Sequence, residues 1–112
     1  MNTQLTYTDE QHRLDYSKHA NRRASQRGVS KSTMRTLVRN GNVIRKQGLR
    51  YYYMTNNELK YFEKDLQDEM RNLVVLMAGD SDMVITCYKN ESALKKIKHK
   101  SKRLAKRYVT YN

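Results

Sequence analysis

The sequence predicts an α+β fold: two N-terminal helices packed on a small antiparallel sheet, followed by a basic C-terminal helix or tail. Three observations predict it. Small and apolar residues recur at helical spacing up to residue 40, as Ala20 and Ala24 do and then Met34, Leu37 and Val38. Two pairs of short β-branched and aromatic runs follow, each pair joined by turn residues. From Lys95 to Arg107 eight of thirteen residues are basic, too charged a composition for a core. Helices laid on a sheet let each bury its apolar side.

Taken in order, residues 1–15 are polar and read as a flexible N-terminal segment. Tyr16–Arg27 reads as a helix with Ala20 and Ala24 inward, stopped by Gly28 in the manner of a glycine C-cap. Ser30 caps a second helix, Lys31–Asn40, which ends at Asn40-Gly41-Asn42. Val43–Lys46 and Leu49–Thr55 read as strands around a turn at Gln47-Gly48, and the alternation through Tyr51 and Tyr53 suggests an exposed tyrosine face. Thr55-Asn-Asn-Glu58 has capping-box spacing, and Leu59, Phe62, Leu66 and Met70 continue at helical intervals, although 58–70 also suits an extension of the sheet. Leu73–Met77 and Met83–Tyr88 form the clearest hairpin, joined by Gly79-Asp80-Ser81-Asp82. A basic helix or tail runs from Glu91 to Arg107. The chain has 112 residues, no proline, no repeat and no Gly/Ser linker, so the expectation is one α+β domain over 16–90 with 91–112 as the basic appendage.

Charge is the dominant signal. Lys and Arg number 23 against 11 acids, a formal +12. Between Tyr16 and Asn57 there are ten basic residues and no acid, and the stretch 95–107 adds eight more. The acids gather instead at Glu58, Glu63, Asp65, Asp68 and Glu69. A segregated excess of this kind points to a polyanion partner, nucleic acid first and RNA before DNA, or else to an acidic protein such as an antitoxin. A membrane helix is a poor fit, since no run approaches roughly 20 apolar residues and only Leu94, Ile97, Leu104 and Ala105 of the tail suit lipid. The N-terminus lacks the apolar centre of a secretory signal, and the lone Cys87 reads as a small buried side chain. A cytoplasmic protein is therefore expected. His12, His19, His99 and Cys87 have no zinc spacing, and the four glycines form no phosphate loop, so neither a metal nor another cofactor is expected.

Several segments are candidates for chemistry. His19, Arg22, Arg23 and Gln26 share one helix face at i, i+3, i+4, i+7 spacing, with Arg27 beside them. An imidazole among guanidiniums suits metal-independent cleavage of RNA: the imidazole moves protons near neutral pH and the guanidiniums stabilise charge on the phosphorane. The same residues also suit a solvated basic face that only touches phosphates. A helix-turn-helix over 20–40 is a further reading, with Lys31, Ser32, Arg35 and Arg39 toward the major groove and backbone. Arg50 extends the basic set. On the last strand, Val84, Thr86 and Tyr88 are expected to face one way, placing a hydroxyl beside a phenol. In the tail, Lys98, Lys100, Lys102, Arg103, Lys106 and Arg107 suit counterion-releasing contacts with phosphates.

Ser17-Lys18-His19-Ala20-x-x-Arg23-x-x-Gln26-Arg27-Gly28-Val29-Ser30, then Leu37, Asn40-Gly41, Leu49-Arg50-Tyr51-Tyr52-Tyr53 and Val84-Ile85-Thr86-Cys87-Tyr88-Lys89-Asn90, together resemble a family of small bacterial and phage-borne proteins labelled as a domain of unknown function. Its pattern is an H-A-x-x-R-x-x-x-R-G-I-S helix opening and a closing I-T-V-Y strand. Val29 replaces the usual Ile and Cys87 the usual Val. The resemblance covers about residues 17–90. That family is in turn distantly similar to the RelE, colicin and barnase group of toxin ribonucleases. The resemblance implies a toxin-type, metal-independent endoribonuclease in which His19, Arg23 and Arg27 work with Thr86 and Tyr88. A non-catalytic RNA- or DNA-binding module and an interaction protein for an acidic partner are the alternatives.

Overall fold

The computed structural model describes residues 13–98 and is mixed α/β. Among these residues are five helices and one five-stranded sheet. The strands are β1 (Asp15–Tyr16), β2 (Asn42–Lys46), β3 (Leu49–Tyr53), β4 (Leu73–Ala78) and β5 (Met83–Lys89), and the helices are α1 (Lys18–Arg27), α2 (Lys31–Asn40), α3 (Asn56–Leu59), α4 (Lys64–Met70) and α5 (Ala93–Lys98). The sheet order is β1-β5-β4-β3-β2. Every neighbouring pair is antiparallel except β1 and β5, which run parallel. The purely antiparallel sheet expected from the sequence is thus corrected at one edge. No helix of the described residues is long and apolar enough to cross a membrane.

Local chemistry explains where the elements begin and end. The Ser17 hydroxyl accepts the Ala20 N–H (2.9 Å) and caps α1. Gly28, at φ 67°, closes that helix in the left-handed conformation that side-chain-bearing residues adopt only with strain. Ser30 caps α2 through the Thr33 N–H (3.0 Å). Gln47 and Gly48 both have positive φ, as a two-residue hairpin turn requires, so β2 and β3 pair from Lys46↔Leu49 out to Asn42↔Tyr53.

Three expectations change. The segment 1–15 is not uniformly loose: Leu14 is buried and Asp15 belongs to β1, while residues 1–12 lie outside the described set. Tyr16 extends the sheet instead of starting the helix, because Ser17 takes the cap position. Residues 58–70 form two short helices. The helix breaks after Leu59 and resumes at Lys64 with Glu63 as its N-cap; between them the Phe62 carbonyl accepts from the Gln67 side chain (2.7 Å).

Two apolar layers form, one on each side of the sheet. On the first side α1 and α2 cover Tyr52, Val75, Met77, Val84 and Cys87, with Met34 and Leu37 fully buried. On the second side Ala93 and Ile97 of α5 pack on Tyr51 and Val74. The basic C-terminal segment was expected to lie wholly outside the core. Its first turns do not, because Ala93 and Ile97 are four apart and share one helix face. The tyrosines are corrected likewise: Tyr51 lies buried beneath α5, Tyr52 is buried on the opposite side, and Tyr53 is half-buried.

The α3 cap makes one element of stability depend on pH. The Glu58 carboxylate is held below its ordinary pKa by the Thr55 backbone N–H (2.9 Å) and then by the Thr55 hydroxyl; burial opposes them, and the Asn42 amide adds a smaller lowering. A carboxyl whose folded pKa is depressed stabilises the fold above its unfolded pKa. That contribution disappears as pH falls through the lower, folded value. Glu58→Gln is therefore expected to lower the thermal midpoint at neutral pH, with the difference from the parent chain shrinking as pH falls below the ordinary carboxylate range. A difference unchanged across that range would show that the carboxylate charge is not the cause.

Candidate nucleic-acid interface

Among the described residues, a long acid-free run of positive charge lies on the helical layer. From Lys18 to Asn40 the two helices carry Lys18, Arg22, Arg23, Arg27, Lys31, Arg35 and Arg39, and no acid. Ala20 (0% exposed) and Ala24 (6%) fix which way α1 faces, since their small side chains let the helix lie close on β5. At 100° per residue, Arg27, Arg23, His19, Gln26 and Arg22 then climb one flank from the buried edge to the outermost line. Arg23 is half-buried, and His19, Arg22, Gln26 and Arg27 are exposed. Burial pushes the Cys87 thiol up in pKa, while Arg23 and Arg27 pull it down, which sets both guanidiniums within electrostatic reach of β5.

α2 adds a second cationic line beside Tyr16, which no sequence motif marks. The Lys31 ammonium sits 5.0 Å from the centre of the Tyr16 ring, and the Tyr16 hydroxyl donates to the Lys31 carbonyl (3.4 Å). Burial raises the Tyr16 pKa and Arg35 opposes that rise, so Arg35 is near as well. Tyr16 had been assigned to a helix, and only the pairing of β1 with β5 brings it under α2. The start of α2 is anchored by an acid: Glu69 of α4 accepts from the Thr33 hydroxyl (2.7 Å) and the Ser30 N–H (3.3 Å).

The five residues assigned to catalysis are not assembled on one side. The register passes from Leu76↔Thr86 to Met77↔Val84, so Ile85 is an extra residue, a β-bulge. Strict alternation fails there. Val84 and Cys87 both face α1, and Thr86 and Tyr88 face the opposite side, where Tyr88 packs with Tyr51 and Val74. The expectation that Val84, Thr86 and Tyr88 share a face is corrected, as is the joining of Thr86 and Tyr88 to His19. Burial, followed by the neighbouring Tyr51, raises the Tyr88 pKa, which makes that phenol a poorer proton donor.

Arg50 is also reassigned. Its guanidinium donates to the Ala78 carbonyl (3.0 Å), the Tyr52 hydroxyl (3.0 Å) and the Ser81 carbonyl, and it lies 3.9 Å from Asp82. It ties β3 to the β4–β5 turn. Lys98 is exposed at the end of α5, where its carbonyl accepts from the Lys46 ammonium. Lys100, Lys102, Arg103, Lys106 and Arg107 lie outside the described residues.

No family model, no curated protein and no solved structure matches this chain. The geometry alone therefore has to say what the site can do. The α1–α2 layer carries exposed cations at Lys18, Arg22, Arg27, Lys31 and Arg39 and half-buried ones at Arg23 and Arg35, chemistry suited to a phosphate backbone. His19 stands on the flank that also carries Arg22, Arg23 and Arg27, within one helical turn of Arg22 and Arg23. That arrangement places a proton-transfer group beside groups able to hold a phosphate.

Proposed function

We propose that this protein binds nucleic acid, RNA before DNA, through the basic layer formed by its two N-terminal helices on the sheet, with the basic C-terminal helix or tail gripping flanking backbone. The observation that carries this reading is the run of seven cations and no acid on α1 and α2. Phosphate contacts of this type release counterions and make affinity strongly salt-dependent. The resemblance to toxin ribonucleases favours RNA.

One observation favours a second reading, metal-independent RNA cleavage in the manner of a toxin endoribonuclease regulated by an acidic antitoxin. His19 shares its flank of α1 with Arg22, Arg23 and Arg27. The site would be smaller than the sequence suggests, with His19 as acid or base and Arg23 and Arg27 on the phosphate, and without Thr86 or Tyr88. The two readings separate on one variant. His19→Ala leaves the binding cations in place, so retention of RNA in a native gel should be nearly unchanged. If His19 transfers protons, the parent chain cleaves total RNA in EDTA on a denaturing gel and the variant does not. RNA left intact by both, with binding retained, removes the enzyme reading and leaves the binding module.

A further inference from the structure

A cleft of about 260 Å³ opens at one end of the sheet, between α5 and the ends of β3 and β4. None of the candidate site residues lines it. Its walls include the half-buried Tyr53 and the apolar Leu94, together with Asn56, Asn72, Asn90 and Glu91. A second, more open hollow of about 510 Å³ shares Glu91 and Leu94 with the first and adds Lys95 and Lys98. The two are therefore adjacent. One part is an amide-lined cleft beside an aromatic ring, and the other carries two lysines.

We propose that this cleft receives one unstacked nucleobase bearing an exocyclic amine, with the adjoining phosphate held by Lys95 and Lys98. This rests on the nucleic-acid reading above and extends it to a second site with base selectivity. Single-stranded nucleic acid is read by stacking bases on aromatic rings and by hydrogen bonds to their splayed edges. Tyr53 offers the ring. Asparagine side chains carry both a donor and an acceptor and match base edges in pairs of bonds. Asn90 has its Oδ1 occupied by the Ser92 N–H (2.7 Å), so it offers its amide N–H groups. Glu91 supplies an acceptor only. Its charge repels a phosphate in the cleft itself and directs the phosphate outward to Lys95 and Lys98.

The acceptor-only Glu91 also sets the preference. Adenine, cytosine and guanine each present an amine that a carboxylate accepts. Uracil has no exocyclic amine, and its one edge donor, the N3–H, is flanked by two carbonyl oxygens that set acceptor against acceptor at the carboxylate, which costs binding. The volume lies below the roughly 300–1,000 Å³ of clefts that enclose drug-sized ligands, which fits a single ring system and not a stacked pair.

The test uses the full chain and two probes: free nucleosides followed by amide chemical shifts, and short single-stranded homopolymers followed by fluorescence anisotropy. Adenosine or cytidine should shift the amides of Tyr53, Asn72 and Asn90 while uridine leaves them in place. The matching homopolymer should bind about tenfold more tightly than oligouridylate. Asn72→Ala and Glu91→Gln should each erase that preference without altering the salt dependence of oligouridylate binding. A folded variant that keeps the preference, or nucleosides whose shifts fall elsewhere, overturns the proposal. Shifts at Tyr53, Asn72 and Asn90, in a chain whose RNA affinity survives loss of the α1 arginines, would uphold the base site and remove only the nucleic-acid reading of α1 and α2; no RNA binding at all would overturn both. Tight RNA binding with no base preference would do the reverse.

Discussion

Replacing Arg22, Arg23 and Arg27 together with glutamine is expected to weaken binding of single-stranded RNA on the order of 100-fold at moderate salt. Each phosphate contact to a single strand contributes about 0.7 to the slope of log K against log salt, so loss of three contacts should flatten that slope by about 2. Titrations of anisotropy at several salt concentrations measure both quantities. Glutamine keeps a polar stem, and Arg23, the half-buried member, is within electrostatic reach of Cys87, so the thermal midpoint of the variant serves as the folding control. Lys60→Gln with Lys64→Gln is the matched control, because those lysines sit among the acids of the α3–α4 segment and Lys64 already pairs with Asp68 (3.4 Å). If the control loses as much affinity per charge as the α1 variant, the partner responds to net charge and the α1 flank is not a site.

The second large effect falls on stability. A Cβ at Gly79 would meet the Gly48 carbonyl oxygen at 2.3 Å and its carbon at 3.0 Å, both backbone atoms. Gly79 follows β4 and Gly48 is in the turn between β2 and β3, so relief means parting two hairpins that Arg50 also ties together. Gly79→Ala is expected to cost about 3 kcal/mol, the upper part of the range for overpacking. That corresponds to a fall of on the order of 10 °C in the thermal midpoint of a domain this size. Gly28→Ala provides the contrast. It meets nothing within 4 Å, and its penalty is the positive φ alone, about 1 kcal/mol. Equal losses at the two positions would show that the close approach at Gly79 is relieved without cost.

The division between what was legible and what was not follows from the range of the interactions. The caps at Gly28 and Ser30, the capping box at Thr55 and the Gln47-Gly48 turn are local, made between residues within five of each other, and the sequence states them directly. The Ser17 cap is equally local but is hidden in sequence by the helical reading of Tyr16. The basic run over α1 and α2 is local in the same sense. The β-bulge at Ile85 is not. Strand periodicity predicts alternation, and one extra residue defeats it. That residue becomes visible only once β4 and β5 are in register and the Ser17 hydroxyl donates to the Ile85 carbonyl (2.9 Å).

Arg50 shows the same limit from the side of charge. In the sequence it is one more cation in an acid-free stretch. In the fold its partners come from residues 28 to 32 positions away, as well as from Tyr52, and they turn it into a tie between hairpins. Ile97 is the converse case: surrounded by lysines in sequence, it is fully buried on Tyr51 and Val74 because the second side of the sheet is apolar and open to α5.

The sequence by itself determined the helix and strand content in outline, most of the caps and turns, and a segregated positive charge. Only the tertiary structure decided which of those charges stand together, that Thr86 and Tyr88 lie across the sheet from His19, and that a cleft forms under α5. Propensity, capping and charge are properties of neighbours along the chain, whereas the side a strand residue faces depends on pairing with residues far away in sequence. A single bulge in that pairing redistributes the side chains beyond it.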